Sequence, residues 1–316
     1  MTADEVRKFA MIIAAGLISL AGVALLRGGG PATIAELKMR ERLPTGPRII
    51  RVKTGDPDLT AEAAIALRLK TGETLYEREA DRRLPVASLT KLMTALLLAE
   101  AGDPLSLVEF SAEAKEAGGP DGKRSAVVAG DRLKAEDVTK LLLASSDADA
   151  AYAAAEYVAG AGEPAANFEE RVRRFVGRMN ERARALGLAN TSFSNPAGTD
   201  GPDNFSSARD LSALAGEIER ARPEIFAASR IIETFVFGAS GARYGVVNTN
   251  PLLAEFPAIL GSKTGFDDEA RGALLLLYRL APTDPAALVI LRSADRFADG
   301  REFLEWLESS FVIESP

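Results

Sequence analysis

The chain changes its hydrophobic period twice. Residues 63–69 (AAIALRL) and 74–77 (TLYE) flank Lys70-Thr71-Gly72-Glu73, which predicts a β-hairpin closed by a glycine turn. From Ser88 the period becomes helical, with Leu89, Leu92, Met93, Leu96 and Leu97 on one stripe and Ser88 placed to cap it. Segments 135–144, 147–159, 166–187 and 207–221 keep that character, separated by turn clusters at Asn195–Gly198 and Gly201–Asn204. The last third returns to strand patterns at 230–237, 258–264, 271–279 and 286–293. A closing amphipathic helix follows over 298–312, with Phe303, Leu304, Trp306, Leu307 and Phe311 on its apolar side. Strands at both ends with helices between predict an α+β fold: one mostly antiparallel sheet, flanked by helices, with an inserted helical lobe.

Ahead of this domain lies an uncharged run, Phe9–Leu26, preceded by Arg7 and Lys8. Its length is near the lower limit for crossing a bilayer, and its basic flank belongs on the cytoplasmic side. An uncleaved signal anchor fits better than a cleaved signal peptide, since no clear A-x-A site follows the run. A buried globular helix fits least, because the segment has no polar face. The expected organisation is an N-terminal membrane anchor over 1–27, an extracytoplasmic linker over 28–60 and a globular domain over 61–316. The linker carries Gly28-Gly29-Gly30 and several prolines, and Ile49, Ile50 and Val52 could form a short strand within it. This places the domain outside the cytoplasmic membrane on a single-pass transmembrane helix.

The chain has no histidine and no cysteine. A Ser-His-Asp hydrolase, a thiol nucleophile and a disulfide are therefore excluded, and a zinc site would need carboxylates alone. The net charge of −7 gives no basic face for nucleic acid. Any enzyme here works with hydroxyls, amines and carboxylates. Ser88-Leu89-Thr90-Lys91 is one candidate: positions i and i+3 share a helix face, so Lys91 reaches the Ser88 hydroxyl. A lysine made neutral by burial can take that proton, and the helix start presents the Ser88 N–H to an oxyanion. The plain alternative is a helix cap. Lys263-Thr264-Gly265, on a predicted strand, offers a cation and a hydroxyl beside a glycine that admits a close ligand or backbone. The plain alternative there is a strand end with a turn glycine. Ala144-Ser145-Ser146-Asp147-Ala148-Asp149 joins two helices, where Ser146 or Asp147 could simply cap.

Taken in order, S-x-x-K, then the Ser146 block, then K-T-G resembles the penicillin-binding proteins and serine β-lactamases, and most closely the D-alanyl-D-alanine carboxypeptidases. The likeness extends through residues 71–100, 130–156, 190–215 and 261–275. It implies a β-lactamase/transpeptidase-like fold, peptidoglycan stem peptides as substrate, β-lactam antibiotics as inhibitors, and no cofactor or metal. It further implies Ser88 as the acylated nucleophile, Lys91 as base and Ser146 as proton relay. Lys263 and Thr264 would hold the terminal carboxylate, with Gly265 between them and Phe266, whose N–H would complete the oxyanion hole. Three positions depart from the family pattern: Ala148 replaces a motif asparagine, Asn204 a frequent histidine, and Arg271 a frequent glycine. The leading expectation is a serine D-alanyl-D-alanine carboxypeptidase. Ala148 motivates a second, a weakened or inactive homologue that binds cell-wall peptides. A β-lactamase is the third, for which no Ω-loop glutamate is identifiable.

Overall fold

The computed structural model describes residues 48–118, 124, 126–160, 167–199, 201 and 203–314. The apolar run Phe9–Leu26 and most of the expected linker lie outside them. Among the described residues no helix is long and apolar enough to cross a membrane.

Strand structure begins with β1 (Arg48–Arg51), and the expected hairpin follows as β2 (Ala63–Arg68) and β3 (Thr74–Arg78), turning at Gly72 with φ +73°. After the short β4 (Leu84–Pro85), a 3₁₀ turn at Ala87–Thr90 feeds helix α1 (Lys91–Glu100). The lobe runs through β5 (Leu107–Glu109), α2 (Ala112–Ala117), β6 (Arg132–Lys134) and α3 (Ala135–Lys140). A π turn at Leu141–Ser145 then leads to α4 (Ala148–Gly160) and α5 (Phe168–Ala185). β7 (Phe205–Ser206) pairs with β4, and α6 (Ala208–Ala221) and α7 (Glu224–Ser229) return the chain to the sheet. Next come the hairpin β8 (Glu233–Phe237) and β9 (Arg243–Val247), the short α8 (Leu252–Glu255), and β10 (Ile259–Asp267). β11 (Arg271–Ala281), β12 (Asp284–Ser293), α9 (Arg296–Ser310) and β13 (Phe311–Glu314) complete the chain.

Both ends build one five-stranded antiparallel sheet, ordered β10-β11-β12-β2-β3. Its faces are both covered. Ile65, Leu275, Leu277, Val289 and Leu291 pack toward the helical lobe, while Leu274, Leu276, Leu288 and Ile290 pack against Phe303, Leu304 and Leu307 of α9. This explains why β11 and β12 read as continuous apolar runs: with water on neither face, alternation has no physical cause. Helix starts follow capping chemistry, with Asn167, Ser207 and Asp295 accepting from the first turns of α5, α6 and α9.

Two expectations need correction. The short strand allowed within the stretch read as a linker is present as β1, which pairs with β13, and Leu59 is buried in the cluster that holds Phe303 and Leu307 of α9. The strand expected at 230–237 lies outside the main sheet and pairs instead with β9, which the sequence reading missed. The closing helix ends at Ser310, and Phe311 belongs to β13, from which it packs edge-on against Trp306 with ring centres 5.4 Å apart.

Candidate active site

Ser88 does not cap a helix. It lies inside the 3₁₀ turn, whose N-terminal boundary residue, Val86, makes no side-chain cap. Ala87, just before it, has φ +47°, a left-handed conformation costly for a residue with a Cβ and often found at functional sites. That bend lets Ser88 stay partly accessible while Leu89, Thr90 and Lys91 are buried. Lys91 Nζ lies 2.8 Å from Ser88 Oγ and donates to the Ala197 carbonyl at 2.5 Å. Burial lowers the Lys91 pKa to about 7, against the nearby Asp147 carboxylate, which raises it. A neutral amine keeps a lone pair, so the 2.8 Å contact can carry the hydroxyl proton toward nitrogen.

The Ala197 loop is seated on this turn by Gly198. At φ +73°, a β-carbon there would stand 2.0 Å from the Ala87 carbonyl oxygen and 2.8 Å from Thr90 Oγ1. Asn204 is buried and exchanges hydrogen bonds with Thr90 at 3.1 and 3.3 Å, so it braces the S-x-x-K turn.

Ser146 follows the π turn and is itself left-handed, at φ 59° and ψ 34°. This reversal aims its hydroxyl at the opposite wall, where it accepts from Lys263 Nζ at 2.8 Å. Capping at this junction falls to Asp147, whose Oδ1 accepts from the Ala150 N–H at 3.0 Å. The neighbouring Ser145 hydroxyl receives the Val247 N–H at 3.2 Å.

β10 supplies the remaining wall as the edge strand of the sheet. Lys263 and Thr264 are buried, and Lys263 Nζ also donates to the Thr264 carbonyl at 2.7 Å. Gly265 allows the strand to touch the nucleophile's turn: a β-carbon there would meet the Val86 carbonyl oxygen at 2.9 Å and Ala87 Cβ at 3.2 Å. Phe266 projects outward, 62% exposed. The seven residues picked from the sequence thus fall into two lysine–serine pairs, Lys91 with Ser88 and Lys263 with Ser146, and a strand, Lys263–Phe266, that meets the Ser88 turn at Gly265.

Two further residues were missed. Arg296, half-buried at the start of α9, places its guanidinium 5.3 Å from the Phe266 ring centre and 4.5 Å from that of Phe297. Its Nε is buried without a hydrogen-bond partner among the described residues. Gly272, opposite Phe266 on β11, makes room: a β-carbon there would be 3.0 Å from Arg296 Cβ. Thr249 joins the two walls, its hydroxyl 2.6 Å from that of Thr264 and its N–H donating to Ala144 at 3.0 Å. Neither sits in a recognisable local pattern, and only the fold brings them beside these residues.

A buried amine on a serine, a second lysine on a second serine, and a strand edge beside the first are the kind of groups that acyl transfer without histidine or cysteine uses. A family model described as D-alanyl-D-alanine carboxypeptidase (peptidase S11) matches residues 50–283. The chain belongs to that family. It is 31% identical over 216 residues to the D-alanyl-D-alanine carboxypeptidase DacF of Bacillus subtilis, covering 68% of this chain and 53% of that protein. It thus spans about half the length of that relative. It is 33% identical over 264 residues to a D-alanyl-D-alanine endopeptidase of Pseudomonas aeruginosa, covering 82% and 81% of the two chains. Among solved structures, a penicillin-binding protein of Listeria monocytogenes in its cefotaxime-bound form superposes with a TM-score of 0.67 at 26% identity, covering 81% of this chain and all of that one.

Within this D-alanyl-D-alanine carboxypeptidase family, the departures in the chain have local explanations. Ala148 is buried where α4 meets the end of α2, and a β-carbon on Gly118 would lie 3.4 Å from its own. Asp147 and Ser145 already serve as helix cap and hairpin anchor, which argues against either replacing the missing amide. Arg271 has φ 51°, so a glycine would sit there with less strain.

Proposed function

We propose that this chain is a serine D,D-peptidase that removes the terminal D-Ala from peptidoglycan stem peptides. Ser88 Oγ attacks the penultimate D-Ala carbonyl carbon while the neutral Lys91 amine takes its proton. The backbone N–H groups of Ser88 and Phe266 receive the developing oxyanion. Ser146, in contact with Lys263, relays a proton to the departing D-Ala nitrogen, and water then hydrolyses the Ser88 ester. Lys263, Thr264 and Arg296 supply the charge and hydroxyl for the substrate's terminal carboxylate. One observation carries the reading: a lysine with a pKa of about 7 lies 2.8 Å from Ser88 on a turn that touches the Lys-Thr-Gly strand. The assembled contacts also argue against a retired homologue, since the Ala148 position leaves both lysine–serine pairs intact.

Fluorescent penicillin should label the wild-type chain and fail to label Ser88→Ala. The wild type should release D-Ala from a pentapeptide ending in D-Ala-D-Ala. Wild-type protein inert toward both probes would refute the assignment. A cross-linked muropeptide dimer in the same assay separates carboxypeptidase from endopeptidase action, since relatives carry both names. We further propose that the run Phe9–Leu26 holds the chain in the cytoplasmic membrane with the domain on the extracytoplasmic side, a reading supported by its length and its Arg7-Lys8 flank. Retention in the membrane pellet after a carbonate wash checks it.

A further inference from the structure

The β8–β9 hairpin has no role in the chemistry above, yet the fold fixes it at both ends. At its base, Val247 is bonded through its N–H to Ser145, and Thr249 just beyond contacts Thr264. At its tip, the buried Asp131 accepts from Ser240 N–H at 3.1 Å, from Ser240 Oγ at 2.6 Å and from Tyr244 OH at 2.6 Å. Gly238 admits this carboxylate, since a β-carbon there would be 1.9 Å from Asp131 Oδ2. Two-stranded hairpins are marginal alone, and these anchors make this one a rigid arm. Its inner face, with Val236, Tyr244 and Val246, is buried.

Its outer face is covered by nothing within the described chain. From the Ser145 end outward it presents the cross-strand pairs Val247 with Glu233, Gly245 with Phe235, and Arg243 with Phe237. Phe237 is 60% exposed and Val247 55% exposed, although the strand pattern would let polar residues stand there. Arg243 stacks on Phe235, its guanidinium 4.2 Å from the ring centre, and stands across the strands from Phe237. The row starts at the residue bonded to Ser145 and extends about 14 Å from it at strand spacing. Exposed apolar rows fixed on a rigid scaffold mark interaction surfaces.

We propose that this face is a docking track for the polymeric part of the substrate: the glycan strand with its anionic peptide branches. The inference rests on the peptidoglycan reading above and extends it from the reacting end to the rest of the polymer. The track begins beside the reacting groups, since Val247 is bonded to Ser145, the neighbour of Ser146, and Thr249 contacts Thr264. A bare aromatic ring accepts the C–H face of a sugar, and Arg243 complements the carboxylates of the stem peptides on a chain otherwise acidic overall.

The test is co-sedimentation of the full-length protein, in mild detergent, with purified insoluble sacculi. Ser88→Ala is used throughout to prevent digestion, alone and combined with Phe237→Ala or Arg243→Ala. Each added substitution should lower the bound fraction at least fivefold. In the background with Ser88 intact, the same two substitutions should leave penicillin labelling and D-Ala release from a soluble pentapeptide within twofold, with unchanged melting curves. Unchanged sedimentation would overturn the proposal. So would a shift in oligomeric mass caused by the substitutions, which would assign the face to a second copy, or a loss confined to lipid vesicles. Failure of the peptidase reading shows separately, as wild-type protein inert toward penicillin and pentapeptide.

Discussion

Burial holds the Lys91 pKa at about 7 while Asp147 pulls it upward, so the amine is charged below that pH and basic above it. Acylation by penicillin should therefore rise about tenfold per pH unit below pH 7 and level off above, as expected for a single deprotonation. Asp147→Asn keeps an oxygen for the Ala150 N–H but removes the charge that favours the ammonium. Its pH–rate profile should bend at a lower pH than that of the wild type; a bend at the same or higher pH would show that Asp147 does not act on the amine. The candidate site residues were legible only together: each short pattern, Ser88 and Lys91 one turn apart or Lys263 to Phe266 consecutive, also fits a plain cap or strand end, and their order along the chain carried the reading. Arg296 and Thr249 were not legible, because what they do depends on neighbours remote in sequence. The strain at Ala87 and Ser146 was equally invisible, since neither residue type advertises a positive φ.

β10 meets the 3₁₀ turn at Gly265, where a β-carbon would stand 2.9 Å from the Val86 carbonyl oxygen. Gly265→Ala should push strand and turn apart by a few tenths of an ångström or more. Acylation is expected to drop tenfold or more, since small misplacements of reacting groups are costly, while circular dichroism stays native. A variant acylating at the wild-type rate would mean that the contact is not limiting. The β2–β3 hairpin and α1 were readable from period and turn chemistry. The β8–β9 hairpin was half-read: its first strand carries a run of large apolar residues, but Gly245 interrupts the second and the exposed Phe237 breaks the usual inward–outward rule. The π turn before Ser146 left no trace, because Leu141–Ser145 is as apolar as any buried helix.

Across the whole molecule, the chain wraps α9 before entering the sheet. Trp306 Nε1 donates to the Gly55 carbonyl at 2.7 Å, Arg51 lies over the indole at 5.6 Å, and Thr60 bonds Asp299 at 2.9 Å. Trp306 is the chain's single tryptophan, so its emission reports this docking. A variant beginning at Ala61 should melt at lower temperature and emit to the red of the wild type; unchanged emission would show that the wrap is dispensable. The sheet with its inserted lobe was legible as a succession of periods, but this wrap was not, since a proline-bearing stretch of mixed charge resembles a tether. The Asp131 clasp has a consequence of its own. Burial favours its protonation, but the hydrogen bonds from Ser240, Tyr244 and Arg132 outweigh it and bring the pKa from 3.8 to about 2. Its contribution to stability is thus complete above about pH 4 and fades only as acidity approaches pH 2. Between those limits and neutrality Lys91 is silenced but the arm stays locked, so mild acid should leave a protein that grips the wall without cutting it.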